Sequence, residues 1–114
     1  MSQDFKEPSV QITASHPVSL YVAGDYDTAE AVCREFCDQV GFCVTVTPTS
    51  YVYRGGTERG VIVGLINYPR FPAQPDQIEA KAIALGLVLR EALGQESFTI
   101  ERLGETKFYS WRAE

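Results

Sequence analysis

Side chains able to do chemistry concentrate in two short stretches of this sequence. The first is GLINYPRFP, Gly64 to Pro72, where an apolar run stops in a corner holding an amide, two aromatics, an arginine and two prolines. Asn67 offers the paired donor and acceptor that read a purine edge. Arg70 can neutralise a phosphate or stack, and Tyr68 or Phe71 supplies a flat face for a base. Pro69 and Pro72 remove loop conformations before any ligand arrives, which lowers the entropy lost on binding. Capping of the core is the competing use of Tyr68 and Phe71, and it is the expected one for one of the pair. The second stretch is RGGTERG, Arg54 to Gly60. Gly55 and Gly56 leave main-chain N–H groups open to an anion, with Arg54 and Arg59 on either side. A solvated glycine turn with ordinary surface arginines is an equally weighted reading.

Residues for covalent or acid–base catalysis are scarce. The only histidine, His16, stands beside Pro17, where a solvated surface role is the expectation. Cys33, Cys37 and Cys43 have no second histidine to activate them, and their C-x3-C-x5-C spacing fits no familiar zinc pattern. The odd count disfavours a disulfide framework, so reduced thiols without a metal are expected. Asp25 and Asp27 sit where a strand passes into a helix, a place where one acid is needed as a cap. No cofactor is implied.

Those residues are carried by a chain of 114 residues, 45% hydrophobic and 22% charged, the balance of one globular domain. No apolar run approaches the roughly 20 residues that cross a membrane. The formal net charge of -5 disfavours long nucleic acid, whose affinity comes from many cationic contacts, yet leaves room for a small anion. The leader MSQDFKEPSVQITASHP has neither a basic start nor an apolar centre, so cytoplasm is the expected compartment.

Patterning gives the elements. Residues 1–16 read as a flexible or edge-lying leader and 17–114 as a single ligand-binding domain. VSLYVAG alternates as a strand from Val18, and the following helix has Asp27 as expected cap, an apolar stripe through Ala29, Cys33, Phe36 and Cys37, and Gly41 as its stop. Phe42 to Tyr53 alternates around Pro48 as one bent strand or two short ones, and Val61 to Tyr68 completes a hairpin. A second helix runs from Pro75 to Gly94 with an unusually broad apolar side, and two short strands meet at Leu103 and Gly104. The order β-α-β-β-α-β-β describes an α+β two-layer sandwich, a mixed, mostly antiparallel sheet with two helices on one face. The other face carries threonines and tyrosines, which a partner subunit can cover.

The run from about Tyr21 through Trp111, most specifically CVTVTPTSYVYRGG and GLINYPRFP, resembles the phage anti-Thoeris sponge proteins that sequester cyclic ADP-ribose immune signals. The resemblance implies a non-enzymatic binder that holds a cyclic ADP-ribose isomer intact in the host bacterial cytoplasm. It also implies homo-oligomers, dimers with nucleotide pockets between subunits or six-subunit assemblies that hold cyclic oligonucleotides as well. For such a ligand, Asn67, Tyr68, Arg70 and Phe71 are expected at base and phosphate, with Arg54, Gly55, Gly56 and Arg59 as a second anion corner. Asp25 is a candidate for ribose hydroxyls and Arg90 for stacking. The rival expectations are a small nucleotide hydrolase, and a ligand-sensing or adaptor domain.

Overall fold

A computed structural model describes residues 7–113. Its elements are β1 (Val18–Ala23), α1 (Tyr26–Val40), β2 (Thr45–Tyr53), β3 (Gly56–Leu65), α2 (Pro75–Leu93), β4 (Ser97–Arg102) and β5 (Glu105–Ser110). The order matches the expected α+β sandwich. The five strands form one sheet in the order β2-β3-β1-β4-β5. Every neighbouring pair is antiparallel, so the sheet is simpler than the mixed one expected.

Strand alternation puts Val18, Leu20 and Val22 of β1, Val61, Val63 and Leu65 of β3, and Phe98 and Ile100 of β4 on one face. There they meet Ala29 and Cys33 of α1 and Ile78, Ala82, Leu85 and Leu89 of α2. Each fully buried side chain of this kind contributes about 1.5–3 kcal/mol. Gly86 brings α2 close to the sheet, because a Cβ there would stand 2.8 Å from Phe98 ring atoms. The broad apolar side of α2 is only partly used: Leu87 and Val88 remain exposed.

Three local expectations are corrected. Asp25, not Asp27, caps α1: its Oδ2 accepts from the Thr28 amide and the Thr28 hydroxyl, both at 2.9 Å. Of the two readings around Pro48 the single strand holds, but without a bulge: β2 pairs with β3 in one continuous register in which Pro48 faces Val61. As β2 is an edge strand, the donor that proline lacks need not be one the ladder uses. The β2–β3 turn is only Arg54 and Gly55, with Gly55 at φ 86°, so Gly56 and Arg59 belong to β3.

The expected leader falls partly outside the described residues, at 1–6; residues 7–17 form neither helix nor strand. Part of this segment is tied to the domain by Asn67, which is 7% exposed. The Asn67 amide donates to Thr13 Oγ1 at 3.1 Å and to the Ala14 carbonyl at 2.8 Å, while its Oδ1 accepts from the Ala73 amide at 2.8 Å. Three of its four hydrogen-bonding positions are therefore committed inside the fold.

A buried carboxylate locks α2 to the β4–β5 hairpin. Glu79 receives Arg102 Nη1 at 2.6 Å and Lys107 Nζ at 3.1 Å. The Arg102 hydrogen bond, helped by Lys107 and opposed by burial, holds this carboxyl below the usual range. A depressed folded-state value adds stability above the ordinary carboxylate range that is lost as pH falls through the lowered value. Glu79→Gln is expected to cost about 1–3 kcal/mol at pH 7 and to flatten the acid limb, read from urea midpoints between pH 7 and pH 3.

Candidate functional site

The face of the sheet opposite the helices holds the most distinctive chemistry. On it, Tyr51 of β2 stands directly across from Glu58 of β3, and Tyr21 of β1 stands between Ile62 and Thr99. Tyr21, Tyr51, Glu58, Ser97 and Thr99 line a basin of about 150 Å³ together with Arg112, whose guanidinium is paired with Glu96 at 3.6 Å. The Tyr51 hydroxyl donates to the Val61 carbonyl at 2.6 Å, so its ring lies back over β3. Gly60 makes that possible. A Cβ at this position would run into the Tyr51 ring and stand 2.6 Å from the Val22 carbonyl oxygen and 2.9 Å from Ala23 Cα.

Electrostatics follow from these contacts. Burial pushes the Tyr51 phenol up to about 12, and Tyr21 is raised chiefly by its 2.7 Å hydrogen bond to Glu101 Oε1. Both phenols stay protonated near neutral pH, which makes them donors and neutral π faces rather than bases. Among the described residues neither Glu58 nor Glu101 has a cationic partner in an ion pair. Two aromatic faces with unneutralised carboxylates nearby form a surface suited to a cation.

The residues expected from the sequence are distributed over other places. Tyr68, Arg70 and Phe71 line a cavity of about 660 Å³ at the loop after β3. Asp25 and Arg59 line a cleft of about 320 Å³ with Gly24, Tyr26 and Ser50. In it, the Thr28 amide holds the Asp25 carboxyl below its ordinary value. Arg54 and Gly55 sit at the hairpin tip, and Gly56 pairs with Tyr53. The second anion corner is thus divided, because a two-residue turn leaves Arg59 on a strand at the far side of three paired positions. Arg90 stacks on the chain's own Trp111, 4.0 Å from the ring centre.

Thiol chemistry receives no support. Burial pushes Cys33 up to about 11 and raises Cys37, which favours the unreactive thiol form. Among the described residues no group of three metal-ligating side chains converges. Tyr21, Tyr51, Glu58 and Glu101 were not among the expected site residues. The signal for them was the alternation itself, which sends odd positions of β2 and even positions of β3 to the open face.

No protein-family model matches the sequence, and no curated protein matches it. Solved structures that share the fold include two that this chain spans almost completely. One is a phage SAM lyase in its apo state, with TM-score 0.68 and 21% identity, covering 95% of this chain and 98% of that one. The other is a phage SAM lyase in complex with S-methyl-5'-thioadenosine, with TM-score 0.66 and 17% identity, covering 95% of this chain and 100% of that one. At these identities the likeness establishes the fold. It also corrects the expectation of a non-enzymatic sponge, since the structures spanned end to end by this chain are those of a phage enzyme.

Proposed function

We propose that this chain is a lyase for S-adenosylmethionine or a closely similar sulfonium nucleoside, releasing S-methyl-5'-thioadenosine, with the open sheet face as its site. The observation that carries this reading is the end-to-end match to phage SAM lyases, one of them holding that thioether. The aromatic faces of Tyr21 and Tyr51 beside the Glu58 carboxylate suit a cationic substrate independently of that match, the Arg112 guanidinium in the same lining being paired with Glu96.

The chemistry explains why a scarcity of nucleophiles does not exclude an enzyme. Sulfonium sulfur is already an activated leaving group. Cleavage of its bond to the γ-carbon of the amino-acid chain returns the electron pair to sulfur, giving a neutral thioether. On carbon, the lost bond is replaced by one to the substrate's own carboxylate oxygen, closing a lactone, or by a double bond as a β-proton passes to a base. Neither route consumes water, and the first asks the protein only to hold the reacting atoms in line. Glu58 and the tyrosine faces hold the cation in this scheme.

The basin of about 150 Å³ is smaller than the roughly 300 Å³ at which ligand pockets begin, so one protomer does not enclose such a substrate. A second copy of the chain laid over the open face, where Phe108 and Tyr53 are exposed, supplies the missing wall. No helix among the described residues is long and apolar enough to cross a membrane, in keeping with action on a small metabolite inside the infected cell.

The test is product identification. Purified protein incubated with S-adenosylmethionine is expected to yield S-methyl-5'-thioadenosine in amounts far above the enzyme concentration, with a lactone or an unsaturated amino acid as co-product by mass spectrometry. Recovery of intact substrate, or a hydroxy amino acid whose γ-hydroxyl oxygen comes from labelled water, would remove the proposal.

A further inference from the structure

We infer that the loop corner after β3 is a second ligand site, selective for a planar anion of the nucleoside monophosphate class. This goes beyond the lyase reading and does not depend on it. The cavity, at about 660 Å³, lies within the usual range for small-molecule pockets and is lined by Ser9, Gln11, Cys43, Tyr68, Arg70 and Phe71 around Pro69. It opens beside the N-terminal end of β2 and the C-terminal end of β3. Tyr51 and Glu58 lie toward the other end of the same hairpin.

Three features point to that ligand chemistry. The first is an aromatic platform: the Tyr68 and Phe71 rings lie 5.6 Å apart at 39°, and Phe42 meets Tyr68 edge-on at 6.5 Å. Phe71 is nevertheless 52% exposed, so this face remains open to a further ring. The second is charge. Arg34, Arg102, Lys107 and Arg112 are engaged in ion pairs, and Lys81 and Arg90 lie over aromatic rings. Arg70, like Arg54 and Arg59, makes no ion pair among the described residues, but Arg59 shares its cleft with Asp25 whereas the cavity around Arg70 has no carboxylate in its lining, on a chain of net charge -5. The neighbouring Cys43 thiol, with burial, pushes the Tyr68 phenol up to about 12, so it adds no negative charge.

Rigidity is the third feature. Asn67 is fastened to Thr13, Ala14 and Ala73, and the Phe71 amide closes a turn on the Tyr68 carbonyl at 3.0 Å. Pro69 and Pro72 fix φ on either side of Arg70. The corner is therefore formed before a ligand arrives, with the N-terminal segment as its second wall and the Gln11 amide and Ser9 hydroxyl available to a base edge. An aromatic base on Phe71 and Tyr68 and a phosphate on Arg70 use all of these groups at once.

The test is calorimetric titration of the full chain with 5'-AMP, adenosine and inorganic phosphate. AMP is expected to bind saturably with a dissociation constant below about 1 mM, and each fragment at least about tenfold more weakly. Arg70→Ala and Phe71→Leu are expected to weaken AMP by about tenfold each while leaving the unfolding midpoint unchanged. Any release of S-methyl-5'-thioadenosine from S-adenosylmethionine should stay within about twofold of wild type. Absence of saturable AMP binding, equal affinity for adenosine, or unchanged affinity in Arg70→Ala would overturn the proposal. Loss of thioether release in Arg70→Ala would assign the corner to the reaction site instead and overturn it as well. The AMP titration reads out even if the lyase assay is negative, so the two readings fail separately.

Discussion

Glu58→Gln is expected to lower kcat/KM for release of S-methyl-5'-thioadenosine from S-adenosylmethionine by roughly 10- to 100-fold without unfolding the protein. A charge-assisted contact is worth about 1.5–3 kcal/mol, and 1.36 kcal/mol is tenfold in rate. Glu58 is exposed and in no ion pair among the described residues, so its removal costs the fold little. Most of the loss should appear as a raised KM. The carboxylate meets a cation that is fully charged in the ground state and partly neutralised as the carbon–sulfur bond breaks, so it binds substrate at least as strongly as the transition state. A kcat/KM within twofold of wild type would place the sulfonium away from Glu58.

Gly60→Val should give the largest structural effect, a loss of about 3 kcal/mol or more together with loss of S-methyl-5'-thioadenosine binding. The new side chain would meet the Tyr51 ring, which can swing away, but also the Val22 carbonyl oxygen and Ala23 Cα, which are backbone and cannot rotate aside. Either β1 separates from β3 or the strand shifts, and in both cases Tyr51 leaves its hydrogen bond to Val61. Urea unfolding gives the stability, and near-ultraviolet dichroism reports the tyrosine environment. A variant with wild-type midpoint and ligand affinity would mean that the tight contact between β1, β3 and Tyr51 is not needed. Thr47→Val, an exposed position on the same face of β2, is the control with little expected effect.

Both variants depend on a feature that the sequence carried only implicitly. Helix boundaries were plain where chemistry marks them: Pro75 opens α2, Gly94 at φ 67° closes it, and Gly41 at φ 73° closes α1. Strand boundaries were not, because a proline such as Pro48 reads as a break unless its strand is known to be at the edge. The choice between Asp25 and Asp27 as cap was also ambiguous locally. Two acids two residues apart each precede a plausible first turn, and only the Thr28 contacts decide between them.

The candidate site was less legible than the fold. Conspicuous residue types drew attention to Asn67 and the arginines, but Asn67 is consumed by the N-terminal segment, Arg90 by Trp111, and Arg59 is moved onto a strand by the short turn. The pairing of Tyr51 with Glu58 follows from hairpin register, and register follows from turn length, which composition alone had overestimated. The non-enzymatic expectation came from the family resemblance, and the scarcity of histidine and cysteine machinery agreed with it only on the assumption that bond cleavage needs a protein nucleophile. A sulfonium substrate carries its own leaving group, so that assumption fails for it.

The most direct measurement is a crystal structure of the protein grown with S-methyl-5'-thioadenosine. The expected result places the nucleoside thioether on the open sheet face, its sulfur near Glu58 and between Tyr21 and Tyr51, with a second copy of the chain closing over it. Ligand confined to the cleft of Asp25 and Arg59 or to the loop corner at Arg70, with the open face bare, would contradict the account.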